Sequence, residues 1–336
     1  MAGTGSAMPT QGWARGLWLA MLLCAANTVA QSADAVKPLA VADVKPGVFV
    51  HTGALEDWGP ANGGDVGNLG FVVGSRCVAV IDTGGTPAVG QALKAAIERA
   101  TPLPVCYVVN THAHPDHVLG NVAFVDTHKP APRFVDSARF AQALTAREPY
   151  WLNSLKRDFG IELPRASVVY PGISVDKSLD LDLGDRVLTL QGWPTAHTDN
   201  DLTVYDRRTR TLFASDLLFV RHLPALDGNL RGWIAVMADL RRLPVDTVVP
   251  GHGPVSNDWP GVMDAQAKYL GALLGDTRDA LRKHLTIQQA VDSIGIAPGT
   301  SWLLTDRFHK RNVTAAYAEL EWEDPDPAEA PKAAKP

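Results

Sequence analysis

The stretch NTHAHPDHVLGN, from Asn110 to Asn121, places His112, His114, Asp116 and His117 within six residues of a chain that has ten histidines in all. It follows VCYVV, a β-branched apolar run that reads as a buried strand, so the cluster begins at a strand's C-terminal end. In extended backbone, alternate side chains share a side, and His112 and His114 can therefore grip one cation together. Pro115 then turns the chain, which lets Asp116 and His117 face a second position nearby. Neutral imidazoles and carboxylates are donors that zinc accepts.

Outward from this loop the segments alternate. VFVHTG (Val48–Gly53), LGFVVG (Leu69–Gly74) and CVAVIDTG (Cys77–Gly84) read as strands bounded by Gly, Asp and Asn. Val89, Leu93, Ala96, Ile97 and Ala100 recur at helical spacing between the last of these and the His loop. Ser137 to Phe159 reads as helix, followed by strand pairs turning at Gly184-Asp185 and near Arg207–Arg210. A helix from about Trp233 to Arg242 leads into DTVVPGHG, and Trp259 to His284 is again helical. Two β-rich halves separated and flanked by helices make an α/β domain, suited to a sandwich of two sheets with helices outside.

The 336 residues, 46% hydrophobic and 20% charged, suffice for a large core, and the composition is neither disordered nor fibrous. A net charge of −5 without any basic run argues against nucleic acid as a partner. Arg15 precedes GLWLAMLLCAA and the small, polar NTVAQSADA, the order of a secretory signal with cleavage after Ala30 or Ala33. An apolar run of about eleven residues is too short to span the ~30 Å hydrocarbon core of a bilayer. The expected organisation is thus residues 1–33 as signal peptide, 34–322 as one α/β domain and 323–336 as a disordered tail, in a periplasmic or secreted protein. Export would leave Cys77 and Cys106, each in a strand. They are either a disulfide between neighbouring strands or two buried thiols.

Four side chains do not complete two metal sites. His197 in WPTAHTDND, Asp216 in LFASDLLF and His252 in VPGHGP stand at the ends of further strand-like runs. The glycines beside His252 allow close backbone approach. In this order and context the seven residues resemble the metallo-β-lactamase fold superfamily, in its glyoxalase-II-like ligand pattern. NTHAHPDHVLGN, AHTDNDLTVYD and ALEDWGPANGGD look most like the exported quinoprotein relay system zinc metallohydrolases. The resemblance implies an αββα sandwich of two mixed sheets with two Zn2+ at one edge, Fe or Mn being the alternatives. It places His112, His114 and His197 on one metal, Asp116, His117 and His252 on the other, and Asp216 between them. Asp82 would support the His loop from behind. Antibiotic-hydrolysing members carry Cys- or Ser-type arrangements where this chain has Asp216. β-Lactamase activity is therefore expected to be minor.

The mechanism these residues imply is attack by a metal-activated hydroxide on a thioester-, ester- or amide-like bond, with Asp116 orienting it and shuttling its proton. No Gly-x-Ser-x-Gly elbow offers a rival nucleophile. Substrate contacts are expected from Trp58, Arg221, His222 and Arg231, each of which also has an ordinary structural explanation. The competing functional readings are a mononuclear iron enzyme of the persulfide-dioxygenase type and a non-catalytic, metal-dependent accessory protein of a quinoprotein dehydrogenase. The partner under the leading reading is a small-molecule substrate, with a functional link to that dehydrogenase system.

Overall fold

The computed structural model describes Gly3, Gly5 and residues 36–125, 131–298 and 301–323. Apart from Gly3 and Gly5, the expected signal peptide lies outside the described residues, as does all of the expected tail except Glu323. No described helix is long and apolar enough to cross a membrane.

The described residues form two mixed sheets. The first runs β1 (Ala42–Lys45), β2 (Val48–His51), β3 (Leu69–Val73), β4 (Val78–Ile81), β5 (Val105–Val109), β6 (Arg133–Ser137) and β7 (Ile173–Val175). Its β1 to β4 are antiparallel neighbours, whereas β4 to β7 are parallel, as chain returning through helices requires. The second sheet runs β12 (Thr247–His252), β11 (Thr211–Phe219), β10 (Leu202–Asp206), β9 (Val187–Gly192) and β8 (Ser178–Asp182). Both hairpins of this sheet turn where the Gly184-Asp185 and Arg207–Arg210 segments predict.

Between the sheets, Val50, Val72 and Ile81 of one face Leu188, Leu190, Val204 and Phe213 of the other in a single buried cluster. Helix α1 (Pro87–Ala100) covers the outer face of the first sheet. Its N-cap Thr86 accepts from Val89 N, and Pro87 supplies a pre-set first helical residue. It buries Val89, Leu93, Ala96 and Ile97, the apolar stripe of the sequence, while Ala100 stays exposed. The second sheet is covered by α4 (Leu230–Leu240), α5 (Asp264–Arg282) and α7 (Thr305–Leu320) around Trp233, Leu218 and Leu270. Helix-sheet-sheet-helix layering is therefore the architecture, as expected.

Cys77 and Cys106 are joined in a disulfide, with Cα atoms 5.7 Å apart. The parallel pairing of Val78 with Val105 and of Ala79 with Tyr107 brings them level, which decides between the two alternatives the sequence left open.

Candidate metal centre

The His loop leaves β5 at Asn110 and passes into the short helix α2 (Pro115–Val118). Its shape is held by buried amides and hydroxyls. Asn110 and Asn121 bond reciprocally, with Asn121 Nδ2 donating to Asn110 Oδ1 at 2.8 Å, and Thr83 Oγ1 donates to Asn121 Oδ1 at 2.8 Å. Asn200 Oδ1 accepts from Ala113 N at 2.9 Å, tying the loop to the segment that carries His197. The remaining candidates arrive from the second sheet: Asp216 inside β11, His252 at the end of β12, and His197 in the loop between β9 and β10.

All seven expected ligands converge. Ligand atoms of His112, His114, His197 and Asp216 lie within 4.8 Å of one another, as do those of Asp116, His117 and His252. Asp216 touches both groups, with Oδ1 3.3 Å from His117 Nε2 and Oδ2 3.4 Å from both His197 Nε2 and His252 Nε2. Asp116 Oδ2 is 3.3 Å from His252 Nε2 and 3.5 Å from His117 Nε2. Such proximity depends on Gly251, where a Cβ would stand 1.8 Å from Asp216 Oδ1. Gly253, on the other side of His252, has φ +104° and lies against Val220 O.

Four of the five rings have one nitrogen bonded from behind, which leaves the other for the centre. His117 Nδ1 donates to Asp82 Oδ2 at 2.8 Å, His197 Nδ1 to Ala225 O at 2.7 Å, and His252 Nδ1 to Val66 O at 3.0 Å. His112 Nδ1 is 3.2 Å from Thr111 Oγ1, a hydroxyl that itself donates to Asp82. His114 is turned the other way, with Nε2 3.1 Å from Asp227 Oδ2 and Nδ1 3.2 Å from His197 Nε2. Asp82 also accepts from Thr111 N at 2.8 Å, so it stands behind the His loop.

The buried atoms His112 Nε2, His117 Nε2 and Asp216 Oδ1 have no hydrogen-bond partner among the described residues. Orphaned buried polar atoms are costly, by about 1–3 kcal/mol each. A cluster of them aimed at common points is the arrangement expected of a cation site, and the donor set suits one.

Electrostatics agree. Burial opposes charge on Asp116 and Asp216, yet the neighbouring His117 and His252 hold both carboxyls well below the usual range. Burial likewise opposes protonation of His252, but Asp216 and Asp116 raise it to about 9, and His117 is raised well above 6.5 by Asp116 and Asp216. Burial drives His197 down to about 4, and burial with the His117 charge drives His112 well down. Without a cation the two carboxylates favour the protonated forms of His117 and His252, so the centre is built to attract positive charge.

The cluster opens on a cavity of about 660 Å³, which Trp58 and His222 also line. Trp58 Nε1 donates to Gly85 O at 3.2 Å, and the ring packs on Phe159. His222 donates through Nδ1 to Leu223 O at 2.6 Å, and burial beside His252 lowers it to about 4. The two expected arginines are elsewhere. Arg221 has φ +68°, and this left-handed turn after β11 sends it over a separate groove beside α5 while His222 enters the cavity. Arg231, in the first turn of α4, pairs with Glu319 at 3.5 Å and Glu323 at 2.9 Å instead. Glu323, the first residue of the expected tail, also pairs with Arg278.

Sequence reasoning missed Asp227, Arg147, Trp151 and Arg311, all of which line the cavity. Only Asp227 had a visible signal, a carboxylate in the PALDGN loop shortly after Asp216.

Fold and centre together define a metal-binding hydrolase type. The chain belongs to the metallo-β-lactamase superfamily, whose family profile matches residues 62–252 and ends on the last candidate ligand. No curated protein matches it. Among solved structures it is similar to the stereoselective inverting sec-alkylsulfatase Pisa1 from Pseudomonas sp., with TM-score 0.65 and 17% identity over 87% of this chain and 52% of that one. The chain thus spans about half the length of that enzyme. It is also similar to a metallo-β-lactamase from Pontibacter korlensis, with TM-score 0.55 and 22% identity over 69% of this chain and 99% of that one. At these identities the likeness concerns the fold.

Proposed function

We propose that this chain is an exported hydrolase that binds two divalent cations, zinc in the first place, and cleaves a thioester-, ester- or amide-like bond. The observation that carries this reading is the convergence of five imidazoles, with His112 Nε2 and His117 Nε2 unpartnered, on two carboxylates at the floor of a cavity. His112, His114 and His197 would hold one cation and Asp116, His117 and His252 the other, with Asp216 shared. Cations in such a site lower the pKa of a water from 15.7 to about 7 and draw charge from the oxygens of the scissile group.

The chain's own residues do the rest. Among the described contacts only Oδ2 of Asp116 meets the imidazoles, which leaves Oδ1 to orient a water and take its proton. Asp82, Ala225 O and Val66 O hold the rings in one tautomer and orientation, so little reorganisation accompanies the reaction. Trp58, Trp151 and Phe308 give the cavity apolar walls against a substrate's body. A reduced ligand set, such as a mononuclear iron oxygenase would use, fits poorly with seven assembled donors. Export is supported by the charged–apolar–small N-terminal pattern and by the Cys77–Cys106 disulfide, which persists in an oxidising compartment. The motif likeness to quinoprotein relay metallohydrolases makes a quinoprotein dehydrogenase system the proposed setting.

The test is a panel of thioesters, lactones, aryl esters and β-lactams, assayed before and after chelation and after metal is restored. Acyl hydrolysis that disappears on chelation and returns with zinc is expected. Activity indifferent to the chelator, or none across the panel with the protein fully loaded, would overturn the reading.

A further inference from the structure

We infer that the cavity takes a substrate with a carboxylate remote from the scissile bond, received by Arg147 of α3 (Phe140–Phe159) and Arg311 of α7. The inference rests on the hydrolase reading above and narrows it to acyl compounds that carry a second, anionic end.

The argument is one of charge distribution around the cavity. Four arginines line it, and two of them have an acid to themselves. Arg157 meets Asp158 through two bonds of 2.7 and 2.6 Å, and Arg307 lies 2.6 Å from Asp57. Arg147 and Arg311 instead share Asp227, at 3.8 Å and 3.3 Å. The same carboxylate also lies 3.1 Å from His114 Nε2, so its charge is divided three ways. Two guanidiniums against one carboxylate leave a local surplus of positive charge beside Asp227, while Glu56, which also lines the cavity, accepts from Asn62 Nδ2 at 3.1 Å.

Arg147 makes no hydrogen bond among the described contacts, and its side chain is 39% exposed. Its planar fork of donors is therefore available to an incoming carboxylate, which it can engage through two parallel bonds. Arg311 is steadied by the Phe308 ring, 5.6 Å below it. The position sets the spacing. Asp227 touches the back of His114, whose front nitrogen faces the centre, so the anion subsite lies beyond one imidazole ring and the Asp227 carboxylate from the reacting bond. A spacer of a few carbon atoms joins the two ends of such a substrate, and Tyr150 and Trp151 line the cavity as well.

Metal-loaded wild type and R147Q/R311Q are compared on two esters of matched length, the phenyl monoester of glutaric acid, which is anionic, and phenyl valerate, which is neutral. Wild type should prefer the anionic ester. In the double variant the ratio of the two kcat/KM values should fall at least about tenfold, mostly through KM, and R147Q alone should show part of this fall. Increasing salt should weaken the wild-type preference. A ratio within about twofold of wild type would overturn the subsite. Should neither ester be hydrolysed, acyl-ester hydrolysis has failed and calorimetric binding decides the subsite separately. Glutarate should then bind wild type at least about tenfold more tightly than monomethyl glutarate, a difference of about 1.4 kcal/mol. The double variant should lose that difference. Equal affinities in wild type would overturn the subsite on this arm.

Discussion

At the end of the sandwich away from the cavity, Arg186 is buried against Asp206. It donates to both carboxylate oxygens at 3.0 and 2.6 Å and to the carbonyls of Pro46 and Val73 in the other sheet. At the cavity end, four imidazoles and two carboxylates are buried and His114 is nearly so, yet several of their atoms find no partner. Both ends gather charge between the same two sheets, but only one satisfies it from within the chain. The first is a clasp complete in itself. The second, under the proposed function, is completed by ions from outside. Polar burial alone therefore does not mark a site, whereas polar burial with converging orphaned atoms does.

The largest effect that can break this contrast is on activity. Asp216→Asn removes the carboxylate that touches both ligand groups, and should lower kcat by about a hundredfold or more, a loss of about 2.7 kcal/mol or more in barrier terms. Metal content should fall with it, read by mass spectrometry of the purified variant. An unchanged kcat would mean Asp216 is packing only.

Chelation comes next. Ligands bound at a thousand times their Kd stabilise by about 4.1 kcal/mol. Stripping metal should therefore lower Tm by about 10 °C, read by calorimetry, with recovery on adding zinc. The clasp should be indifferent to the chelator.

Arg186→Met tests the opposite end. It strands Asp206 in the interior and should cost about 3–5 kcal/mol in denaturant unfolding, whereas Arg186→Met with Asp206→Leu should recover most of that loss. Metal content should stay as in wild type in both. The clasp also gives a pH signature. Burial would raise the Asp206 carboxyl, but bonds from Arg186 and Thr209 hold it below its ordinary value of 3.8. A depressed folded value means stability that is present above the unfolded pKa and lost as pH falls through the folded one. Wild type should lose this contribution below about pH 4, and Asp206→Asn should show a shallower acid limb. The smallest expected change is at Thr86→Ala, where loss of the α1 cap should cost about 1 kcal/mol and leave both ends of the sandwich working.

Much of the cavity end was legible in the primary structure because metal ligands need particular residue types at strand ends. His112 to His117 announce themselves by spacing, and His197, Asp216 and His252 by position after apolar runs. Cys77 and Cys106 could be paired only once β4 and β5 were seen side by side. The misplacement of Arg221 and Arg231 has a physical cause, since proximity in sequence to Asp216 says nothing about where a left-handed turn or a helix start aims a long side chain. Arg147 and Arg311 were invisible because their meaning depends on sharing Asp227 across α3 and α7. The clasp was equally silent, as Arg186 and Asp206 sit in hairpin positions where solvated charges are ordinary. Helix α7 escaped notice because its apolar stripe, Val313, Ala316 and Leu320, is thin and set among polar residues.

The central claim is that the orphaned atoms exist to hold two ions, and anomalous diffraction at the zinc edge from protein purified without added chelator tests it most directly. Two peaks are predicted, one among His112, His114 and His197 and one among Asp116, His117 and His252, with Asp216 reaching both. A fully active crystal with no peak at the cluster, or with its metal bound elsewhere, would contradict the account.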